Sequence, residues 1–313
     1  MNVAGARSRV ICVGHAAFDR VFAVDSWPAG SAKIPAHRYD ESGGGMAANA
    51  AAAVARLGGV AEFWGPTGDD AVADAIRTQL IADGVDATNL RRFAGRTSSH
   101  SAVIVDARGE RLVVGLRGTA LQAPADWLPL ERIASAGALL ADVRWPEGAH
   151  VALQAAREAG IPAILDGEIA SREILETLAR VADHVIFSQR GLDAFAGDDV
   201  QTGLRQAIDH GACMAAVTQG EAGVSWIDAR APANLQRCPA FPVAVVDTLA
   251  AGDVFHGAYA LALAEGAKSA QAMRFACAAA AVKCSRSGGR SGAPNRTEVE
   301  ALLVDAAVGG VPR

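Results

Sequence analysis

The chain has 313 residues, 51% hydrophobic and 20% charged, ordinary values for a soluble globular protein with room for one large α/β domain or two small ones. Aromatics are only 5% while Ala and Gly are abundant, so the core is expected to come from close-packed helices and strands rather than large rings. A net charge of −5 argues against a nucleic-acid partner, which needs a concentrated basic surface, and makes any positive charge at a functional site a local matter.

In chain order, the apolar run Val10 to Val13, ended by Gly14, predicts a buried first strand. Asp19 to Ser26 and Lys33 to Ser42 are short and mixed in polarity, as in a small half-exposed sheet. An Ala-rich helix follows from about Met46 to Leu57, stopped by Gly58-Gly59. Val60 to Gly65 predicts a second core strand and Asp70 to Asp83 a second helix. Ser99 to Val105 and Glu110 to Leu116 flank the turn sequence Asp106-Ala107-Arg108-Gly109 and predict a hairpin.

Regular alternation then begins. Strands are expected at Ala138 to Asp142, Pro162 to Asp166, His184 to Phe187 and Cys213 to Thr218. Helices are expected at Gly148 to Glu158, Ser171 to Val181 and Thr202 to His210. Such alternation predicts a mostly parallel central sheet flanked by helices on both faces. The two polar strand pairs do not fit that sheet and are read as a small β-sheet lid, inserted at about 17–42 and 97–118 of a single domain spanning 1–313. No repeat or low-complexity linker divides the chain.

The five cysteines, Cys12, Cys213, Cys238, Cys277 and Cys284, are odd in number and scattered, with no C-x-x-C pair. A reducing compartment fits them better than a disulfide framework or a zinc site. Met1 to Arg9 lacks the apolar run of a secretory signal, and Glu265, Lys268 and Arg274 interrupt the apolar stretch Gly257 to Cys284. A cytoplasmic protein with no membrane association is expected.

The sharpest chemical signal is Asp247-Thr248-Leu249-Ala250-Ala251-Gly252-Asp253-Val254-Phe255. The apolar run Val243 to Val246 predicts a strand and Val254 onward a long helix, with the small residues between them forming a tight turn. The first amides of a helix lack internal partners and carry partial positive charge, so this turn can bind a phosphate without a lysine. Asp253, in the first helical turn, can then accept a proton from a hydroxyl attacking phosphorus. An isolated Gly-Asp at a helix start carries little weight, because the helix dipole alone favours Asp there.

The whole string resembles the C-terminal signature of the PfkB (ribokinase-like) sugar kinases, and the match continues through Gly257-Ala258-Tyr259-Ala260. Gly14 followed by Asp19 is similar to the family's first strand, and Gly43-Gly44-Gly45-Met46-Ala47-Ala48-Asn49 to its sugar-binding turn. Thr218-Gln219-Gly220-Glu221-Ala222-Gly223 resembles its nucleotide loop, and Lys283 to Gly292 the segment that closes over adenine. The resemblance implies a ribokinase-like fold that uses ATP and Mg²⁺ to phosphorylate a sugar hydroxyl.

Asp253 would be the base, beside amides of Ala250, Ala251 and Gly252. Asp19, Gly44, Gly45 and Asn49 would hold the sugar, and Ser188, Thr218, Gly220, Gly223, Ala280 and Cys284 the nucleotide. Asp247, Leu249, Lys283, Arg286 and Gly288 would offer mostly backbone carbonyls to a monovalent cation such as K⁺.

Several stretches look closer to sulfofructose kinases: Ala141 to Trp145, Leu165-Asp166-Gly167, Val217 to Gly220, Gly252 to Gly257 and Gly288-Gly289-Arg290. By that similarity Lys33 and Arg144 would face an anionic group, as on 6-deoxy-6-sulfofructose. Arg144 also follows the strand ending at Val143, at the edge where open α/β sheets place ligands. A neutral sugar, as for ribokinase, fructokinase or ketohexokinase, is the alternative.

Three departures from the family pattern stand out. Ala250 replaces a usual Gly, Ser188-Gln189-Arg190-Gly191 replaces a usual Asn-x-x-Glu, and Gly115 stands where sulfofructose kinases carry Asn, with Arg117 two residues on.

Other readings fare worse. Gly43-x-Gly45-x-x-Ala48 with Glu62 downstream satisfies a dinucleotide fingerprint, but polar Tyr39 to Ser42 precedes it instead of a buried strand. No Walker sequence occurs, which excludes a P-loop kinase. A non-catalytic sugar or nucleotide sensor on the kinase fold is the remaining rival. His15 is expected as a hydrogen-bonded structural histidine, and His256 as a packing residue. Cys284 reads more readily as core than as chemistry. Edge strands in the lid suggest a homodimer.

Overall fold

The computed structural model describes residues 8–27, 30, 33–108 and 110–308. Met1 through Arg7, Gly109 of the hairpin turn and four positions of the first lid insertion (28, 29, 31 and 32) lie outside them. The chain opens with β1 (Arg9–Val13), β2 (Ala17–Ala23), β3 (Arg38–Gly44), α1 (Met46–Arg56), β4 (Val60–Gly68), α2 (Ala71–Ala82) and β5 (Leu90–Phe93). It continues with β6 (Ser99–Val105), β7 (Arg111–Leu116), β8 (Ala138–Asp142), α3 (Pro146–Glu158), β9 (Ala163–Gly167), α4 (Arg172–Ala179) and β10 (His184–Ser188). Then come α5 (Gln189–Ala196), α6 (Val200–Asp209), β11 (Met214–Thr218), β12 (Val224–Asp228), β13 (Gln236–Cys238), α7 (Ala251–Ala264), α8 (Ser269–Cys284) and α9 (Arg296–Val308).

Among the described residues, nine strands form one sheet in the order β13-β12-β11-β10-β9-β8-β1-β4-β5. It is parallel except at one edge, where β12 and β13 pair antiparallel. Alternate residues of β1 enter opposite cores: Val10 and Cys12 pack with α1, α7 and α8, and Ile11 and Val13 with α3 to α6. Both faces are therefore covered, which is why these strands are continuously apolar. The chain leaves β1 toward β4 on one side and reaches β8 on the other, so the topological switch lies between β1 and β8. Open α/β sheets bind ligands outside the carboxyl ends at such a point.

The small sheet has the order β3-β2-β6-β7, with β2 and β6 parallel and the outer pairs antiparallel. It sits over the switch because β2 follows β1 within four residues and β3 runs directly into α1. At the α1–α7 contact, a Cβ on Gly257 would lie 2.5 Å from the Ala50 carbonyl oxygen. The missing side chain lets α7 approach α1 closely and fixes where the first turn of α7 points.

Val243 to Val246, expected as a strand, is coil. Val245 and Val246 are 66% and 61% exposed, and the amides of Val246 and Asp247 donate to the Cys284 carbonyl at the end of α8. β-branched residues favour a strand only where a partner edge receives them, and here α8 takes the hydrogen bonds instead. The lid strand expected from Lys33 begins only at Arg38, leaving 33–36 as coil. The four-residue β5, the helix α5 and the hairpin β12–β13 were not legible from periodicity.

Candidate active site

The site starts at the turn into α7. Asp247 is buried, and its carboxylate accepts from Leu249 N at 2.8 Å and Gly288 N at 3.0 Å. That carboxylate holds the turn open into Ala250, which adopts a left-handed conformation at φ 63°. Ala250 is the one described non-glycine residue with positive φ. The departure from the family's Gly thus keeps the Gly geometry, at a strain of roughly 1–2 kcal/mol for an L-residue. The first helical bond runs from Val254 N to Ala250 O at 2.9 Å, so Gly252 and Asp253 keep amides without intrahelical acceptors. Ala251 differs from the expectation: its amide turns to Thr248 O at 3.2 Å. Gly252 is exposed and has no atom within 4 Å of a would-be Cβ, which makes the helix end open space.

Asp253 projects half-buried from that first turn. Asn49 Nδ2 donates to its Oδ2 at 2.6 Å. The amide of Asn49 is itself oriented by Arg290, whose Nε donates to Asn49 Oδ1 at 2.9 Å and whose Nη2 donates to Gly44 O at 2.8 Å. Arg290 is 3% exposed, and its other terminal nitrogen lies 3.4 Å from Asp83. A Cβ on Gly43 would overlap the Arg290 guanidinium, and one on Gly44 would overlap the Asp19 carboxylate. These overlaps are the physical requirement for glycine in that turn. Burial, with the neighbouring Asp166 adding to it, pushes the Asp253 carboxyl up to about 7, against the opposing hydrogen bond from Asn49. Asp166 rises well above the usual range through its own burial and the nearby Asp142 and Glu168 carboxylates.

The residues expected at the sugar lie between lid and sheet. Asp19 Oδ1 accepts from Ser101 Oγ at 2.6 Å, which aims the other oxygen toward Gly44. Asp142, 1% exposed, accepts from the amides of His15 (2.8 Å), Ala47 (3.0 Å) and Arg144 (2.8 Å). It thereby ties β1, α1 and β8 together at the switch point. A Cβ on Gly14 would lie 2.5 Å from that carboxylate.

His15 departs from the expectation. Its backbone amide is bonded, while its ring Nε2 is buried with no hydrogen-bond partner among the described residues. Burial lowers its pKa, with Arg144 and Arg117 acting in the same direction. Arg144 Nη1 donates to Ile169 O at 3.1 Å. Arg144 also lines, with Arg117, Thr119, Gln122 and Ser171, a cavity of about 260 Å³. Lys33 stands exposed in the coil before β3, apart from these contacts.

Among the residues expected at the nucleotide, Ser188 caps α5 by accepting from Gly191 N at 3.0 Å, and its hydroxyl donates to Glu168 Oε1 at 3.1 Å. A carboxylate, that of Glu168 just past β9, thus lies beside Ser188 although Ser188-Gln189-Arg190-Gly191 itself carries none. Gly191 cannot carry it, because a Cβ there would overlap the Gly167 carbonyl. Thr218 ends β11, and the loop after it turns through Gly220 (φ 57°) and Gly223 (φ 86°). Ala280 and Cys284 lie one turn apart and half-buried on α8. His256 is buried, its Nδ1 2.8 Å from Gly252 O, and so belongs to the support of the helix start.

The residues expected around a monovalent cation do not form an open carbonyl cage. Lys283 is fully buried, and its Nζ lies 2.9 Å from Asp247 O and 3.4 Å from Arg286 O. The Gly288 carbonyl accepts from Gly292 N at 2.6 Å, and Leu249 contributes its amide to Asp247. Asp142, Asp166, Glu168 and Arg290 had no assigned role in the sequence reading. Three of them are acids at or just past the carboxyl ends of β8 and β9, a position that could have flagged them.

An open helix end thus stands beside a half-buried carboxylate, at the carboxyl edge of a parallel sheet and under a β lid, an arrangement chemically suited to phosphotransfer. The sequence profile of the pfkB family carbohydrate kinases matches residues 7–296. The ribokinase of Bacillus subtilis is 32% identical over 303 residues, covering 94% of this chain and 99% of that protein. The crystal structure of a provisionally assigned ribokinase from Agrobacterium tumefaciens superimposes with a TM-score of 0.91 at 40% identity, covering 97% of this chain and 99% of that one. Arabidopsis thaliana ribokinase complexed with ribose and ATP gives 0.82 at 25% identity, covering 96% and 99%. The chain belongs to the PfkB family of carbohydrate kinases, phosphotransferases with an alcohol group as acceptor. The dinucleotide reading falls with this. Its Glu62 is a structural acid, 2% exposed and paired with Arg9 and Arg132. Among the described residues no helix is long and apolar enough to cross a membrane.

Proposed function

We propose that this kinase transfers the γ-phosphoryl group of ATP to a hydroxyl of a small neutral sugar bound between lid and sheet. The observation that supports it most is the pairing of the open start of α7 with Asp253, held in place by Asn49 and Arg290. The amides of Gly252 and Asp253 face the transferring phosphoryl group and stabilise its charge. Asp253, with its proton affinity tuned near neutrality, takes the hydroxyl proton as the oxygen attacks phosphorus. Asp19, the Gly44-Gly45 backbone and the unpartnered His15 Nε2 bind sugar hydroxyls. Thr218, the loop Gly220 to Gly223, Ala280 and Cys284 line the nucleotide, and closure of the lid excludes water. Mg²⁺ would neutralise phosphate charge. The hard carboxylate oxygens of Glu168 beside Ser188 suit it, with phosphates and water as the other ligands.

A second reading, an anionic sugar such as 6-deoxy-6-sulfofructose, is favoured by one observation, the cavity lined by Arg117 and Arg144. A kinase assay across ribose, fructose, other neutral sugars and anionic sugars separates the two, with Arg144→Ala alongside. A neutral substrate leaves the KM of Arg144→Ala within a few-fold of wild type. An anionic one raises it at least tenfold through loss of a charge-assisted contact. Absence of turnover with every sugar, alike in wild type and Asp253→Asn, would instead favour the sensor. The lid also exposes Tyr39, Leu112, Val113, Val114 and Leu116, an apolar surface suited to a dimer of two lids in a cytoplasmic enzyme. Molar mass in solution decides that point.

A further inference from the structure

The Lys283 side chain occupies the centre of the segment that resembles a monovalent-cation site. Its stem passes under the turn Arg290–Gly292, where a Cβ on Gly292 would lie 3.0 Å from Lys283 Cδ. Its ammonium reaches Asp247 O at 2.9 Å, Arg286 O at 3.4 Å and Asp247 Oδ2 at 3.8 Å. These are two backbone carbonyls and a carboxylate oxygen, a donor set that a hard monovalent cation would also choose. An ammonium group and a potassium ion are close in size. The ammonium differs in being tethered, with three N–H donors that need acceptors in fixed directions.

The tether has a structural consequence. Asp247 is bonded through Oδ1 to Leu249 N, through Oδ2 to Gly288 N, and through its own amide to Cys284 O. Lys283 closes the same group from below. The turn leading to Ala250 is thereby locked to the last turn of α8 and to the loop 286–288. A buried cation is costly unless its partners are in place, so the lock has little tolerance for another arrangement. The start of α7, with its free amides and Asp253, is what this lock positions.

We infer that Lys283 is a positioning residue whose ammonium replaces the free monovalent cation, so that this kinase works without K⁺. The inference rests on the reading of residues 247–253 as the phosphoryl-binding turn. Turnover of the wild-type enzyme is measured in KCl, NaCl and choline chloride at equal ionic strength, together with Lys283→Met, which keeps the stem and removes the charge. Thermal unfolding of both proteins is followed in the same salts, without substrates. The wild type should show the same kcat in all three salts, within twofold, and the same melting temperature in KCl and choline chloride. Lys283→Met should lose at least tenfold in kcat in choline chloride. It should recover most of that loss in KCl and melt higher in KCl than in choline chloride.

Severalfold activation of the wild type by KCl over choline chloride would overturn the inference, and so would a Lys283→Met enzyme indifferent to K⁺ in both assays. If that variant does not fold, the wild-type series still decides. If no sugar is turned over, the phosphotransfer reading fails by itself, and the salt dependence of melting still tests the role of Lys283.

Discussion

Replacing Asp253 by Asn removes a carboxylate and leaves the hydrogen bond from Asn49 and the open helix end nearly unchanged in shape. A positioned base contributes roughly 10²–10⁴ to a proton-transfer step, so kcat should fall by that factor, about 3–5 kcal/mol of transition-state stabilisation. The structure adds a pH signature. With the Asp253 carboxyl at about 7, only about a tenth of the free enzyme is ionised at pH 6 and about nine-tenths at pH 8. Wild-type kcat/KM should therefore climb about tenfold between those values, whereas a carboxylate in its ordinary range would give a flat profile. Asn49→Leu removes the hydrogen bond that, with the nearby His256, opposes the upward shift, so the rise should move to higher pH.

The same shift has a stability side. The folded state binds this proton more tightly than the unfolded chain, so stability falls as pH rises from the usual carboxyl range through about 7. Asp253→Asn should accordingly gain stability over wild type above pH 7 and not below pH 4. The assays are steady-state kinetics from pH 5.5 to 8.5 and urea unfolding below pH 4 and above pH 7. A flat wild-type profile, or an Asn variant with most of its turnover, would refute the assignment of Asp253 as base.

Two further substitutions test the architecture around it. Ala250→Gly relieves left-handed strain of roughly 1–2 kcal/mol and gives back about 0.4–1 kcal/mol of unfolded-state entropy, so the melting temperature should rise by about 1–3 °C. A fall in melting temperature would show that Ala250 is not held at positive φ in solution. Arg290→Met leaves the Asn49 oxygen, the Gly44 carbonyl and Asp83 without their shared donor, and urea unfolding should show a loss of about 3–5 kcal/mol. It should also lower kcat, because Asn49 no longer has a fixed amide orientation.

Periodicity located β1, α1, β4, α2, the hairpin β6–β7 and the βα alternation from β8 to β11, since their apolar spacing follows directly from which face is buried. It missed β5, whose four residues include two arginines, and the antiparallel pair β12–β13, which completes an edge rather than a layer. It placed a strand at 243–246, where Val245 and Val246 face solvent. Local composition does not say whether a neighbouring edge is present to receive a strand.

For the site, the string from Asp247 to Asp253 was legible because the small residues, the carboxylate and the helix start lie together in sequence. The sequence by itself determined the sheet, its helical layers and the acid at the start of α7, all properties of local pattern. Only the tertiary structure brought Arg290 onto Asn49 across 241 positions and Glu168 onto Ser188. It also turned the Lys283 side chain under Asp247. These contacts depend on where packed elements place groups distant in the chain, and hydrogen bonds and desolvated charges take their strength from that placement rather than from the order of residues.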